Sequence, residues 1–346
     1  MYTPDEILQM VNAYIDHLPY DRKPASLYAP IQYVLSLGGK RIRPILMMLS
    51  YNMFQEHPEN ILGAACAIET YHNYTLLHDD LMDNASLRRG HQTVHAKWDA
   101  NTAILSGDSM LVTAYHYLLR SLKENEELRM KNEESGCAIG SQLMNSSFYQ
   151  ILDLFTETAL EIGEGQQYDM DFEKRMDVTE EEYIEMIRLK TSVLLACAMK
   201  MGAILAGASD DDADNLYRFG EQIGLAFQLQ DDFLDVYGDP QVFGKAIGGD
   251  ITSNKKTYML INACNRANAI QRSELERWLS ASSFDPMEKI AAVTRLYDEM
   301  GIDKLAQQKI QYYYEQGRKY LDAVNIADER KTQLRNYAAE MMKRRY

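Results

Sequence analysis

The chain has 346 residues, and its 36 Lys and Arg against 51 Asp and Glu leave a net charge of −15 at pH 7. Hydrophobic residues make up 46% and charged residues 25%, ample for a sizeable core. Such acidity argues against a general nucleic-acid binder, because a phosphate backbone needs a basic face.

The first thirty residues interleave Asp5, Glu6, Asp16, Arg22 and Lys23 with Pro4, Pro19, Pro24 and Pro30, and no signal-peptide pattern is present. After Pro44 and Pro58 no proline occurs until Pro240, and proline is the strongest helix breaker. Within that span apolar residues recur at three and four: Leu76, Leu77 and Leu81, then Leu105, Met110, Leu111, Ala114 and Leu118. No stretch alternates with a two-residue period, so strands have little support. Residues 121–135 are dense in charge and read as a solvated helix or loop. The apolar run Val193–Leu205 is broken by Lys200 and too short to span a bilayer, which predicts a buried helix. Without a linker or a solenoid period, the expectation is an all-α chain, residues 1–346, forming one large helical bundle. Cys66, Cys137, Cys197 and Cys264 are widely spaced, which suits reduced thiols of a cytoplasmic protein.

The pattern Asp-Asp-x-x-Asp occurs three times, and its context separates the copies. Asp210 to Asp214 follows Gly207-Ala208-Ser209 and precedes a helical run, so it reads as acidic residues at a helix N-terminus. The other two, Asp79-Asp80-Leu81-Met82-Asp83 and Asp231-Asp232-Phe233-Leu234-Asp235, lie inside apolar helical runs. There Asp79 shares a face with Asp83, and Asp231 with Asp235, each pair costing a helix roughly 0.2–0.5 kcal/mol. Oxygen-only ligands suit Mg²⁺, which keeps waters and is completed by substrate phosphates. Pairing with Lys or Arg of neighbouring helices is the simpler alternative. At about 100° per residue, His72 and Leu76 align with the first pair, and Gly224 and Gln228 with the second.

Cations gather around both motifs despite the net charge. Gly38-Gly39-Lys40-Arg41-Ile42-Arg43 precedes the first, and Arg88-Arg89-Gly90 follows it. Lys190-Thr191 interrupts an apolar helix, and Gly244-Lys245 and Lys255-Lys256-Thr257 follow the second. Glycines admit close backbone approach and Arg and Lys bond phosphate oxygens. Metals on one side and cations on the other suggest a diphosphate. The loop GxxxxGK[ST] is absent, which argues against a P-loop nucleotidase.

These residues resemble the trans-polyprenyl diphosphate synthases. The matching segments are GGKRIRP at 38–44, HNYTLLHDDLMDNASLRRG at 72–90, GDSM at 107–110, GQQYD at 165–169, KT at 190–191, and FQLQDDFLDVYGD with GKAIGGDITSNKKT within 227–257. They run in order over about two thirds of the chain. The resemblance implies an all-α prenyltransferase, usually a homodimer, whose two aspartate motifs face each other across a deep pocket and hold three Mg²⁺ ions on an allylic diphosphate. By the same resemblance Asp79, Asp83 and Asp231 are the main metal ligands, supported by Asp80, Asp232 and Asp235. Arg88, Lys190, Thr191, Gln228, Lys245 and Lys255 would contact the allylic diphosphate. Gly39, Lys40, Arg43, His72 and Arg89 would form the isopentenyl-diphosphate site.

Ionising an allylic diphosphate leaves a carbocation, so the chemistry needs a neutralised leaving group and a dry, apolar pocket rather than a nucleophilic side chain. Product length would be set by a bulky residue upstream of Asp79. Tyr74 lies five residues away, about 7.5 Å along a helix, and the resemblance attaches C15 to C20 products to an aromatic there. An ideal wheel turns Tyr74 away from the Asp79 stripe and leaves Thr75 nearer, with Tyr71 a second candidate floor. The basic tail Lys343-Arg344-Arg345-Tyr346 either closes over the site or is solvated. Competing readings are a head-to-head synthase or terpene cyclase, a regulatory subunit, and an acidic Ca²⁺-binding scaffold. The first usually lacks the Gly-Gly-Lys-x-x-Arg segment, the second has lost acidic residues, and the third leaves the ordered cations unexplained.

Overall fold

In the computed structural model, which describes residues 1–132, 138–239 and 247–343 and no side chains from 128 to 146, helices take up about 80% of the chain. Residues 133–135 of the charged segment, Cys137, Gly244, Lys245 and Arg344–Tyr346 lie outside the described residues. The chain clusters into two compact units: Met1–Leu154 with Ala198–Leu216 and Asn325–Leu334, and Phe155–Cys197 with Tyr217–Val324 and Arg335–Tyr346.

The first unit opens at Thr3, whose hydroxyl accepts from the Glu6 amide while Glu6 reaches back, a capping box that starts α1, Pro4–Asp16. Ile7, Val11 and Ile15, spaced by four, are its buried stripe. Helices α2 (Ala25–Ser36) and α3 (Ile42–Phe54) follow, and α3 is buried from Pro44 to Met53. A single 3₁₀ turn, Pro58–Ile61, leads into α4, Leu62–Met82. A two-stranded hairpin, β1 Leu87–Arg88 and β2 His91–Gln92, turns through Arg89 and Gly90, both at positive φ. Its four paired residues are too few for any alternating pattern, which is why the sequence gives no sign of them. The short α5, Val94–Lys97, then precedes α6, Ala100–Asn132.

Glycines set how closely α4 and α6 approach. A β-carbon on Gly63 would lie 2.9 Å from Ser121 Cβ, and one on Gly107 would collide with the His78 ring. These contacts sit at opposite ends of α4, so the two helices run antiparallel. Met110, Ala114 and Leu118 are buried as their spacing predicts, and Leu122 and Asn125 extend that face into the charged segment. Leu105 departs from the pattern at 59% exposure, beside Ile104 and Val112. The third acidic run forms the first turn of α10, Asp210–Tyr237. There Ser209 Oγ accepts from the Asp212 amide, Asp212 accepts from the Asn325 amide at 2.7 Å, and Lys200 pairs with Asp214 at 2.5 Å.

The second unit takes most of α7 (Ala138–Glu173), then α8 (Glu180–Ile187), started by a Thr179–Glu182 capping box. One π-helical turn, Arg188–Ser192, joins α8 to α9, Val193–Leu205. After α10 come α11 (Gly249–Thr252), α12 (Tyr258–Arg266), α13 (Ala269–Ser280), α14 (Pro286–Met300), α15 (Ile302–Ala323) and α16 (Asp328–Met342). Phe172, Tyr183, Phe233, Tyr258 and Tyr297 are large side chains of its core. Among the described residues Cys66, Cys197 and Cys264 form no disulfide. Among the described residues no helix is long and apolar enough to cross a membrane.

Candidate active site

Both inner acidic motifs end their helices. Asp79 and Asp80 lie in the last turn of α4 and Asp83 caps it, its amide donating to the Asp79 carbonyl at 2.9 Å. Asp231, Asp232 and Asp235 fall in the last two turns of α10. A helix C-terminus is the negative pole of the backbone dipole, so carboxylates there are disfavoured and gain from a nearby cation. The middle aspartate of each motif is buried and engaged by the protein. Arg88 Nε donates to Asp80 Oδ1 at 2.7 Å. Asp232 accepts from Gln228 at 3.0 Å and from the Tyr183 phenol. Burial raises both carboxyls, with Arg88 opposing it at Asp80. At Asp232 the nearby Asp250 adds to burial, and its pKa is pushed up to about 7.

Upstream on α4 the chemistry turns cationic. Burial lowers the His72 imidazole well below 6.5, and Arg43, Arg89, Arg88 and Arg41 press it further, so it is neutral near pH 7. Burial also lowers the Arg43 guanidinium to about 10, against the pull of Glu69, and its Nε is buried without a hydrogen-bond partner. Arg89 donates to the Gly38 carbonyl and lies across Gly39, whose φ is 136°. Lys40 is exposed on the same turn.

Beneath this turn Arg41, at φ 46°, is buried with Glu69. Its guanidinium donates to Glu69 Oε1 at 2.8 Å and to the Leu35 carbonyl at 2.6 Å, and Asn73 donates to the same Glu69 oxygen at 3.0 Å. Sequence reasoning missed this pair. Its available signal is Glu69 itself, the one acidic residue in Ile61–Leu77, since a buried carboxylate needs a partner.

In the second unit glycines let backbones meet. A β-carbon on Gly224 would lie 2.6 Å from Ser192 Cα, and one on Gly220 2.7 Å from Ala196 Cα. On α7, Gly165 leaves room for the Lys190 backbone nitrogen. The π turn then directs Lys190 Nζ onto Asp169 at 2.6 Å and Thr191 Oγ1 onto Gln228 Oε1 at 3.0 Å. Thr191, Gln228, Asp232 and Tyr183 thereby form one hydrogen-bonded chain. Burial works to raise Asp169, yet Lys190 and Lys255 prevail and hold it below the usual carboxylate range. Asp235 accepts from the Asp250 amide at 2.9 Å.

The residues expected to set product length stack along α4. The Tyr74 ring meets Tyr71 at 5.4 Å and His78 at 4.9 Å, both edge-on. The His78 ring in turn fits against Gly107 of α6, so this stack lies on the side of α4 packed against α6. Thr75 bonds back to the His72 carbonyl at 2.8 Å.

A family profile described as polyprenyl synthetase matches residues 24–300. The chain belongs to this family. It is similar to a geranylgeranyl diphosphate synthase of Methanosarcina mazei, 37% identical over 97% of this chain and 95% of that one. It also resembles a geranylfarnesyl diphosphate synthase of Natronomonas pharaonis, 36% identical over 85% of this chain and 84% of that one. A crystal structure of a geranylgeranyl pyrophosphate synthase superposes with a TM-score of 0.88 at 39% identity, each chain fully covered. The all-α isoprenoid synthase fold and short-chain prenyltransferase class expected from the motifs are those of this family.

Prenyl diphosphate synthases are generally Mg²⁺-dependent, and the donor chemistry fits that ion. Asp79 with Asp83, and Asp231 with Asp235, offer only oxygens at helix ends where a cation is favoured. Among the described residues no group of three or more His, Cys, Asp or Glu is placed to hold a metal ion by itself.

Proposed function

We propose that the chain condenses isopentenyl diphosphate with an allylic diphosphate, head to tail, into an all-trans product of C15 to C20, with residues 1–346 acting as one catalytic domain. The observation that carries this reading is the pair of cations at the Gly38–Gly39 turn: Arg43, whose buried Nε has no hydrogen-bond partner, and Arg89, laid across Gly39. That pair is a receptor for an anion, distinct from the carboxylates of α4.

In this reading Asp79, Asp83 and Asp231 would hold three Mg²⁺ ions, which would supply the neutralisation that pyrophosphate needs as it departs. Asp80, Asp232 and Asp235 support those ligands through Arg88, through Tyr183 and Gln228, and through the Asp250 amide. Arg88, Lys190, Thr191, Gln228, Lys245 and Lys255 bind the allylic diphosphate and are preorganised for the charge that develops on it. Gly39, Lys40, Arg43, His72 and Arg89 hold isopentenyl diphosphate with its C3–C4 double bond toward the cation. The new C–C bond forms there, and the C2 proton goes to the departing pyrophosphate. Apolar walls exclude water that would quench the cation, and Tyr74, with Tyr71 and Thr75 near it, stops the growing chain.

The working form in this reading is a cytoplasmic homodimer. Self-association is supported by the exposed apolar residues of α6, Ile104, Leu105 and Val112. The test is incubation with labelled isopentenyl diphosphate, Mg²⁺ and dimethylallyl, geranyl or farnesyl diphosphate in turn, followed by product sizing. Incorporation ending at C15 or C20 is expected, and no incorporation with any primer refutes the reading.

A further inference from the structure

Lys289, in the first turn of α14, has 0% exposure and forms no ion pair with a carboxylate among the described residues. Its ammonium donates to Asn254 Oδ1 at 2.6 Å and to the Thr252 carbonyl at 3.4 Å, and it lies 4.2 Å from the centre of the Phe284 ring. Burying an ammonium without a counter-charge is unfavourable. A methionine would fill the same space without that cost. The polar contacts therefore have to account for the lysine.

Both polar contacts fall on the turn between Asp250 and Lys255. Thr252 is the last residue of α11, so Lys289 satisfies a carbonyl at that helix's C-terminal end. Asn254 has φ 57°, and its amide nitrogen donates to the Leu279 carbonyl at 3.0 Å. The Asn254 side chain is thus fixed at both its oxygen and its nitrogen. Behind it the Lys255 amide donates to the Asp250 carbonyl at 3.0 Å, closing the turn. Ile290, the next residue of α14, secures the other end of the segment. Gly248 has φ 82°, and a β-carbon there would lie 2.5 Å from Ile290 Cδ1. Two successive residues of one helix therefore grip both ends of 248–255.

The gripped segment carries Asp250, whose amide donates to Asp235, and Lys255, whose charge acts on Asp169 and Asp232. We propose that Lys289 is a positioning residue for the diphosphate-binding side of the reaction: it fixes the Asn254 turn and so directs Lys255 toward the allylic diphosphate. This rests on the assignment of Lys255 to that substrate.

The test is steady-state kinetics of K289M, K289R, N254G and K255A with each substrate varied separately in Mg²⁺, alongside thermal unfolding. N254G keeps the left-handed backbone and removes the side-chain link, so it reports on the same contact if K289M fails to fold. Lys289 in this role predicts that K289M and N254G raise KM for the allylic diphosphate about tenfold and leave KM for isopentenyl diphosphate within about twofold. K289R, which keeps charged donors at the site, recovers much of the loss. If K255A raises the allylic KM while K289M and N254G do not, or if they raise both KM values equally, the role of Lys289 is overturned and the prenyl-transfer reading stands. If K255A itself leaves the allylic KM unchanged, the Lys255 assignment falls and this inference with it.

Discussion

Arg89 lies so close over Gly39 that a β-carbon there would fall 2.8 Å from the guanidinium carbon. The glycine is required twice, by this contact and by its φ of 136°. Gly39→Ala is therefore expected to displace Arg89 and raise KM for isopentenyl diphosphate at least about tenfold. Backbone strain of this kind costs about 1–3 kcal/mol, so thermal unfolding should show a folded protein with a lowered midpoint. Unaltered kinetics would separate Arg89 from that substrate.

Arg41 and Glu69 are each about 2% exposed and form a buried ion pair at 2.8 Å. Removing one partner of such a pair costs about 3–5 kcal/mol, because the other charge is left buried. Arg41→Met should lose that much in urea unfolding, whereas Arg41→Met with Glu69→Leu should recover most of it. A double-mutant cycle measures the coupling, and additive losses would contradict it.

His72 gives a pH dependence of definite sign. Its folded pKa is well below 6.5, chiefly through burial and then through the surrounding arginines. Below pH 6.5 the unfolded chain takes up a proton that the folded chain refuses. This contribution to stability is thus greatest above pH 6.5 and declines as pH falls below it. Thermal midpoints compared between pH 8 and pH 5.5, without diphosphate, should fall less in His72→Asn than in the parent protein.

Tyr74 stands between Tyr71 and His78 in an edge-on stack. Tyr74→Ala removes the middle ring and should lengthen the product by at least one isoprene unit, read by chromatography of the dephosphorylated alcohols. An unchanged length would move the stop to another residue.

Asp79→Asn should lower kcat by at least about a hundredfold with an unchanged circular-dichroism spectrum, the scale expected for losing a preorganised electrostatic contact. Chelation should abolish turnover in the parent protein and added Mg²⁺ restore it. Retained activity in either experiment would refute the ligand role.

The features legible in the sequence are those written in consecutive residues. The apolar run Val193–Leu205 is a helix with those bounds, and the acidic run at Asp210 is a helix start held by Ser209. The cations around the GGKRIRP turn likewise announce themselves by proximity. What stayed hidden depends on partners far apart in the chain. Tyr183 meets Asp232 across 49 positions, Arg41 meets Glu69 across 28, and Lys289 reaches Asn254 across 35. Nothing in the sequence next to any of these side chains names its partner, and only packing reveals it. The exposure of Leu105 is the converse case, because three- and four-residue spacing marks a face without saying what covers it.

The wide turn at Arg188–Ser192 amounts to one surplus residue inserted into an otherwise continuous rod. Deleting a single position there would restore an uninterrupted α-helical register, but everything on one side would swing by about 100° relative to the other. Lys190 would then no longer reach Asp169 while Thr191 reached Gln228. The role proposed for this stretch thus carries a constraint on its length, and shortening it should be harder to tolerate than substituting its side chains.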